Sequence, residues 1–274
     1  MILKLLQPTS AFLLILFLFS STGFAQGDLM IMPKRLVFDG TQRSQEINLI
    51  NTGSDSATYA ISIVQYKMTE KGNFEEVTEP EEDQRFATDY LRYYPRQVVL
   101  GPKEAQTVRI QLTRTGNLEQ GEYRSHLYFR AIEKQTALGE LNSEQADGIS
   151  INIKTVFGIS IPVIIREGSS TTSIELSGIE LNKEEEEIIL SLIINRTGNM
   201  SVYGELSVEH ISPDGTNTEI GKVRGMAVYT PNTKRDFSMK LQNVELIDLT
   251  KGKLNIIYKT EEGKLLGEAK FDLK

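Results

Sequence analysis

Apolar and polar side chains alternate residue by residue through most of this chain, and helical spacing is nearly absent. Ile47 and Leu49 flank Asn48, and an Asn51-Thr52-Gly53 turn follows. Tyr59, Ile61 and Ile63 alternate with Ala60 and Ser62; Val108, Ile110 and Leu112 with Arg109 and Gln111; Leu127, Phe129 and Ala131 with Tyr128 and Arg130. Turn pairs punctuate these runs at Gly72-Asn73, Gly101-Pro102 and Gly116-Asn117. Many short strands with frequent turns predict an all-β chain of the sandwich type. Only near Arg85–Tyr94 does the pattern admit a short helical turn.

The second half repeats the style. Leu190, Leu192 and Ile194 alternate, Asn195-Arg196-Thr197-Gly198 makes a turn, and Leu206 and Val208 follow. Leu254–Tyr258 and Leu265–Leu273 read as a closing hairpin around a Thr260–Gly263 turn. INLINTGSDSATYAISIV (47–64) and LSLIINRTGNMSVYGELSV (190–208) share one order: strand, Asn/Thr/Gly turn, tyrosine-bearing strand. This echo predicts two similar sandwiches in tandem. Gly168-Ser169-Ser170 is the best linker, which places one domain at 26–167 and another at 168–274.

One run is too long for either domain. From Ile149 to Ile165, eight of the nine odd positions are apolar, and the even ones include Ser150, Asn152, Lys154, Gly158 and Ser160. Extended, it spans more than about 50 Å, well beyond an ordinary strand. Either it bends between two sheets, or one end carries its isoleucine row out toward a partner; an ordinary long core strand is the plainer alternative.

Before these strands, residues 1–25 combine Lys4, a nine-residue apolar run from Ala11 to Phe19, and small residues at Gly23 and Ala25 around Phe24. This is the pattern of a secretory signal peptide cleaved after Ala25. The apolar run falls well short of the ~20 residues that span a bilayer, and no cysteine is present for lipid attachment. Removing it leaves 29 basic and 37 acidic residues, a net charge of −8. No basic block offsets that charge, which argues against nucleic acid as a ligand. With no cysteine and only His126 and His210, disulfides, thiol catalysis and a histidine-rich metal site are out of reach.

The remaining chemistry is sparse. No G-x-S-x-G, phosphate-binding or dinucleotide motif occurs. The acidic runs Glu75–Asp83 and Glu184–Glu187 lack calcium-loop spacing and read as solvated loops. His126 lies on the polar side of its strand and reads as a surface or interdomain residue. Asn195-Arg196-Thr197 and Asn199-Met200-Ser201 are glycosylation sequons of a kind that arises by chance. No cofactor, metal or catalytic residue is expected. Lys34-Arg35 open the first domain ahead of Leu36-Val37-Phe38, and a charge there is ordinarily solvated.

Four segments together resemble the periplasmic pilus-assembly chaperones of the PapD-like family: KRLVFDG (34–40), GPKEAQTVRIQL (101–112), GEYRSHLYFRAI (121–132) and GISIPVIIR (158–166). The likeness covers roughly residues 29–166, and the second domain matches only in size and β character. It implies immunoglobulin-like sandwiches and a chaperone that completes pilin-like subunits by donating a strand to their open grooves. Ile149, Ile151 and Ile153 are then the donor residues, and Lys134–Gly148 resembles the family's variable loop before them. Arg35 falls at the family's anchor for the subunit's C-terminal carboxylate, a contact that fixes register. The companion anchor lysine is not matched at Phe157 or Gly158, and Lys154 is the nearest cation. The family's interdomain ion pair is unmatched too, since its positions fall at Arg124 and Ile161. The resemblance further implies a periplasmic location, incomplete pilin-like subunits as partners and an outer-membrane usher. The alternative is an exported structural or adhesive protein of the same architecture that chaperones nothing.

Overall fold

The computed structural model describes residues 29–132 and 157–273, apart from residues 186 and 246. In chain order the strands of the first half are β1 (Leu29–Met32), β2 (Leu36–Phe38), β3 (Ser44–Asn51), β4 (Ala57–Val64), β5 (Tyr66–Met68), β6 (Phe74–Glu76), β7 (Leu91–Tyr94), β8 (Gln97–Leu100), β9 (Ala105–Leu112), β10 (Gly121–Ile132) and β11 (Gly158–Glu167). Two sheets, β1-β3-β9-β7 and β2-β11-β10-β4-β8, face one another, and β5 and β6 form a separate hairpin. Between the sheets lie Ile47, Leu49, Val108 and Ile110 from one side and Phe38, Ile61, Leu127, Phe129 and Val163 from the other. Apart from Phe38, these are the alternating positions read from the sequence. The Asn51 turn is stapled by its side chain: Nδ2 donates to the carbonyls of Asp55, Leu100 and Gly101, and Oδ1 accepts from the Gly53 amide. A 3₁₀ turn at Thr88–Tyr90 falls within the one stretch where helix was expected.

The second half supplies β12 (Ser173–Glu184), β13 (Glu187–Thr197), β14 (Val202–Ile211), β15 (Asn217–Val228), β16 (Lys234–Lys240), β17 (Lys253–Lys259) and β18 (Leu265–Asp272). They form the sheets β12-β13-β16 and β15-β14-β17-β18 around Leu190, Leu192, Ile194, Leu206, Val208 and Tyr258. The protein is thus an all-β chain of two sandwiches. Among the described residues no helix is long and apolar enough to cross a membrane.

Two features of the first sandwich position the site. The first is a change of sheet. β1 pairs with β3, then Pro33, which has no N–H for a ladder, takes the chain out after Met32. The chain rejoins the opposite sheet at Leu36, where β2 runs parallel to β11 with Leu36, Val37 and Phe38 beside Val163, Ile164 and Ile165. Arg35 sits at that re-entry. The second feature is that β10 is buried on both faces. Tyr123, Leu127 and Phe129 enter the core, while Glu122, Arg124 and His126 are covered from the other side.

Candidate functional site: an open strand edge ending at an interdomain arginine

β11 is flanked unequally. On one side β10 pairs with it antiparallel over its whole length, from Gly121 opposite Glu167 to Arg130 opposite Gly158. The Ala131 amide continues the ladder by donating to the Phe157 carbonyl at 3.0 Å. The odd residues of β11 therefore direct their backbone groups at β10, and the even ones direct theirs at the opposite edge. That edge is covered by β2 only from Val163 onward. Upstream, no described strand pairs with it, so the backbone groups of Gly158 and Ser160 face an open edge. Pro162 lies on the same edge, where its missing N–H removes nothing from the β10 ladder.

The apolar row changes character along the same stretch. Val163 and Ile161 are buried at 0% and 4% exposure, whereas Ile159 rises to 38% and Phe157 to 50%. The inward face of β11 thus leaves the sandwich as the strand is followed toward its N-terminus. Gly158 is fixed by its neighbour: a Cβ there would overlap the Tyr128 ring. The donor candidates Ile149, Ile151 and Ile153, together with Lys154, lie outside the described residues. So do residues 1–25, the expected signal peptide, with its cleavage position.

Arg35 stands where the open stretch ends, one residue before Leu36 and so level with Pro162. Its guanidinium carbon is 4.2 Å from the centroid of the Tyr203 ring, on β14 of the second sandwich. Nε is buried without a hydrogen-bond partner. Arg35 is half-buried, and among the described residues it forms no ion pair.

The surface between the sandwiches extends this arrangement. Val37 and Ile164 pack against Ala227, Tyr229, Tyr203 and Met68. On either side an arginine of the first sandwich meets a tyrosine of the second: Arg35 on Tyr203, and Arg124 on Tyr229 at 4.4 Å. Arg124 is 5% exposed; its Nη2 donates to the Thr230 carbonyl at 3.3 Å, while Nε and Nη1 have no partner. Burial lowers its pKa, with Tyr229 and Glu122 opposing. Burial also raises the pKa of the Tyr229 hydroxyl, against the pull of Arg35 and Arg124.

His126, level with Pro162 on β10, is 3% exposed and lies edge-on to Tyr66 (5.1 Å) and Phe74 (5.6 Å). Burial, and after it the Arg124 charge, depress its pKa to about 3, so the ring is neutral. The expectation of a surface or interdomain residue resolves to a buried one, because β5, β6 and the second sandwich cover the side of β10 that alternation marks as polar.

An ion pair does brace the hinge, at positions the family comparison did not indicate. Glu122 accepts from Arg166 Nε at 3.1 Å, and from the Ser201 amide and hydroxyl at 3.0 and 2.7 Å. Arg166 also donates to the Ser201 carbonyl at 2.7 Å, so the pair is closed by the second sandwich. Nothing in the strand patterns marks Glu122 or Arg166 beyond their charge. A cleft nearby is lined by Arg85, Glu122, Arg196 and Thr230. Its cations are already engaged: Arg85 with Glu119 at 3.2 Å, and Arg196 with four backbone carbonyls.

No protein-family model and no curated protein matches the chain. Among solved structures it is similar to the YadV chaperone, at 13% identity and a TM-score of 0.44 over 90% of this chain and 100% of that one. It is also similar to the Pseudomonas aeruginosa CupB2 chaperone (13%, 0.44, over 89% and 100%). A third is the CsuC–CsuE chaperone–tip adhesion subunit pre-assembly complex from archaic chaperone-usher Csu pili of Acinetobacter baumannii (13%, 0.43, over 90% and 98%). All three are chaperones or contain one.

Proposed function

We propose that this chain is a periplasmic assembly chaperone that completes pilin-like subunits of a surface fibre by strand addition along β11. The observation that carries the reading is the open edge upstream of Val163. It adjoins an apolar row emerging from the core and ends at an arginine that forms no ion pair among the described residues. Edges of this kind are ordinarily blunted by charge, bulges or cover, because they capture other strands. Strand addition joins main chain to main chain, while alternate side chains fill pockets.

The geometry also favours a direction. β2 occupies the edge from Val163 onward, so an added strand stops beside Arg35. If its C-terminal carboxylate ends there, the strand runs parallel to β11, as β2 does. Ile149, Ile151 and Ile153 would continue the row into the subunit's groove, and Lys154, eight residues before Pro162 in the sequence, would supply the second cation of the anchor. The role is binding without bond chemistry and takes no cofactor; an outer-membrane usher would receive the loaded complex. Export through a signal peptide cleaved after Ala25 belongs to the same reading.

The test is co-expression of the mature chain with a pilin-like subunit of its own genome. Ile151→Asp should leave the chaperone folded and abolish the complex. Arg35→Ala should weaken it by two to four decades, the ordinary cost of about 3–5 kcal/mol for orphaning a buried charge. Unfolding by Ile151→Asp, or wild-type binding by Arg35→Ala, would overturn the reading.

A further inference from the structure

The backbone of Arg35 is fixed by the first sandwich and its head group by the second. β2 sets the Cα at the end of the open edge, and Tyr203 on β14 lies against the guanidinium. Arg124 also lies on a tyrosine ring, but it is 5% exposed and so closed to a ligand, and two other arginines at this junction are held differently. Arg166 is engaged by Glu122 and Ser201, and Arg196 by the carbonyls of Asn232, Gly198, Met200 and Pro231. Arg166 thus uses Nε and Nη2, and Arg196 all three of its nitrogens. Glu262, in the turn between β17 and β18, is affected by the Arg35 charge, but Thr260 influences it more, and no ion pair joins Glu262 to Arg35.

A ring beneath a guanidinium attracts the cation without accepting its N–H groups. It fixes the plane of a head group that would otherwise lose rotamer freedom on binding, and leaves the donor fork for a carboxylate. Tyr203 is itself held in register, opposite Ala227 on β15, and its hydroxyl end passes beside Gly225.

We propose that Tyr203 is a positioning residue for the carboxylate anchor, holding the Arg35 guanidinium flat with its donors free. The second sandwich thereby takes part in gripping a partner's chain end, and the angle between the sandwiches is read into the affinity. The inference rests on the assignment of Arg35 above.

The test uses the mature chain, labelled so that arginine Nε–H signals are resolved, with N-acetylvaline as carboxylate probe and its amide as control. In the wild type the Arg35 signal moves with the carboxylate and not with the amide. Tyr203→Phe binds the carboxylate within about twofold of wild type. Tyr203→Leu binds it about two- to tenfold more weakly, the range expected for removing a partly exposed cation–π contact. Pentafluorophenylalanine at position 203 keeps the shape of the ring and inverts its quadrupole, so it should bind as weakly as the leucine variant. If it binds as well as Tyr203→Phe, the ring only fills space and the proposal falls. Should Tyr203→Leu retain its backbone amide spectrum and bind at wild-type strength, the proposal falls likewise while the anchor stands. If the carboxylate leaves the wild-type Arg35 signal unmoved, or binds Arg35→Ala as well as wild type, the anchor itself is wrong.

Discussion

Ile161→Ala and Ile159→Ala, made separately, should part company although the two residues are neighbours on one face of β11. Ile161 is 4% exposed and belongs to the first core, so its truncation leaves a cavity as well as losing transfer energy, about 2–5 kcal/mol in all. Ile159 is 38% exposed. The three carbons removed are worth about 0.8 kcal/mol each when fully buried, which scales to about 1.5 kcal/mol here, and no closed cavity forms. The expected gap is therefore about 2 kcal/mol. Urea unfolding of the full mature chain, followed by far-UV circular dichroism, resolves it provided the m-values agree. The chain has no tryptophan, so tyrosine emission is the companion probe. Subunit binding should show the reverse order, with Ile159→Ala the more damaging once stability is matched by temperature. Equal destabilisation at the two positions would refute the reasoning, because the row would then stay within the core past Ile159.

Three further outcomes follow from the junction between the sandwiches. Glu122→Ala leaves Arg166 and the Ser201 amide without their acceptor and should cost about 3 kcal/mol by urea unfolding, toward the low end for a buried pair because Arg166 is 27% exposed; a loss under about 1 kcal/mol would show that the pair does not brace the hinge. His126 is held neutral in the folded state while the unfolded ring titrates near 6.5, so its stabilising contribution is present above that value and drains away as pH falls toward 3. Stability should therefore decline between pH 6.5 and 4 with a slope approaching about 1.4 kcal/mol per unit from this group, and His126→Phe should flatten the curve; equal pH profiles for the two proteins would contradict it. Gly158→Val should displace the Tyr128 ring and lower the melting temperature, whereas a valine accommodated without change would show that ring to be movable.

Much of the fold was legible because most sheets bury one face in a sandwich core, and a buried face imprints a two-residue period. That is why Ile47, Ile61, Val108 and Phe129 occupy the core positions their alternation predicts. The same logic failed at β10, where a second covering layer buries Glu122, Arg124 and His126 on the face that alternation assigns to water. A strand's own pattern reports that polar residues face away from the core, and carries nothing about what later packs against them. Arg35 was reached only through resemblance; a Lys-Arg pair after Pro33 has no signature of its own. Its partner Tyr203 lies more than a hundred residues downstream on another sandwich, and no local pattern joins them. The emergence of the β11 row was half visible: the long alternating run was plain, but the point of exit, between Ile161 and Ile159, is a matter of packing that the alternation does not carry.

Hydrogen exchange at the β11 edge tests strand addition most directly. In the free protein the amides of Gly158 and Ser160 face the open edge, while those of Ile159 and Ile161 are already bonded to β10. Site-resolved exchange is measured on the mature chain alone and in complex with a co-expressed pilin-like subunit. Strand addition predicts that Gly158 and Ser160 gain strong protection on complex formation while Ile159 and Ile161 change little. Exchange at Gly158 and Ser160 that stays as fast in a stable complex as in the free chain would contradict it.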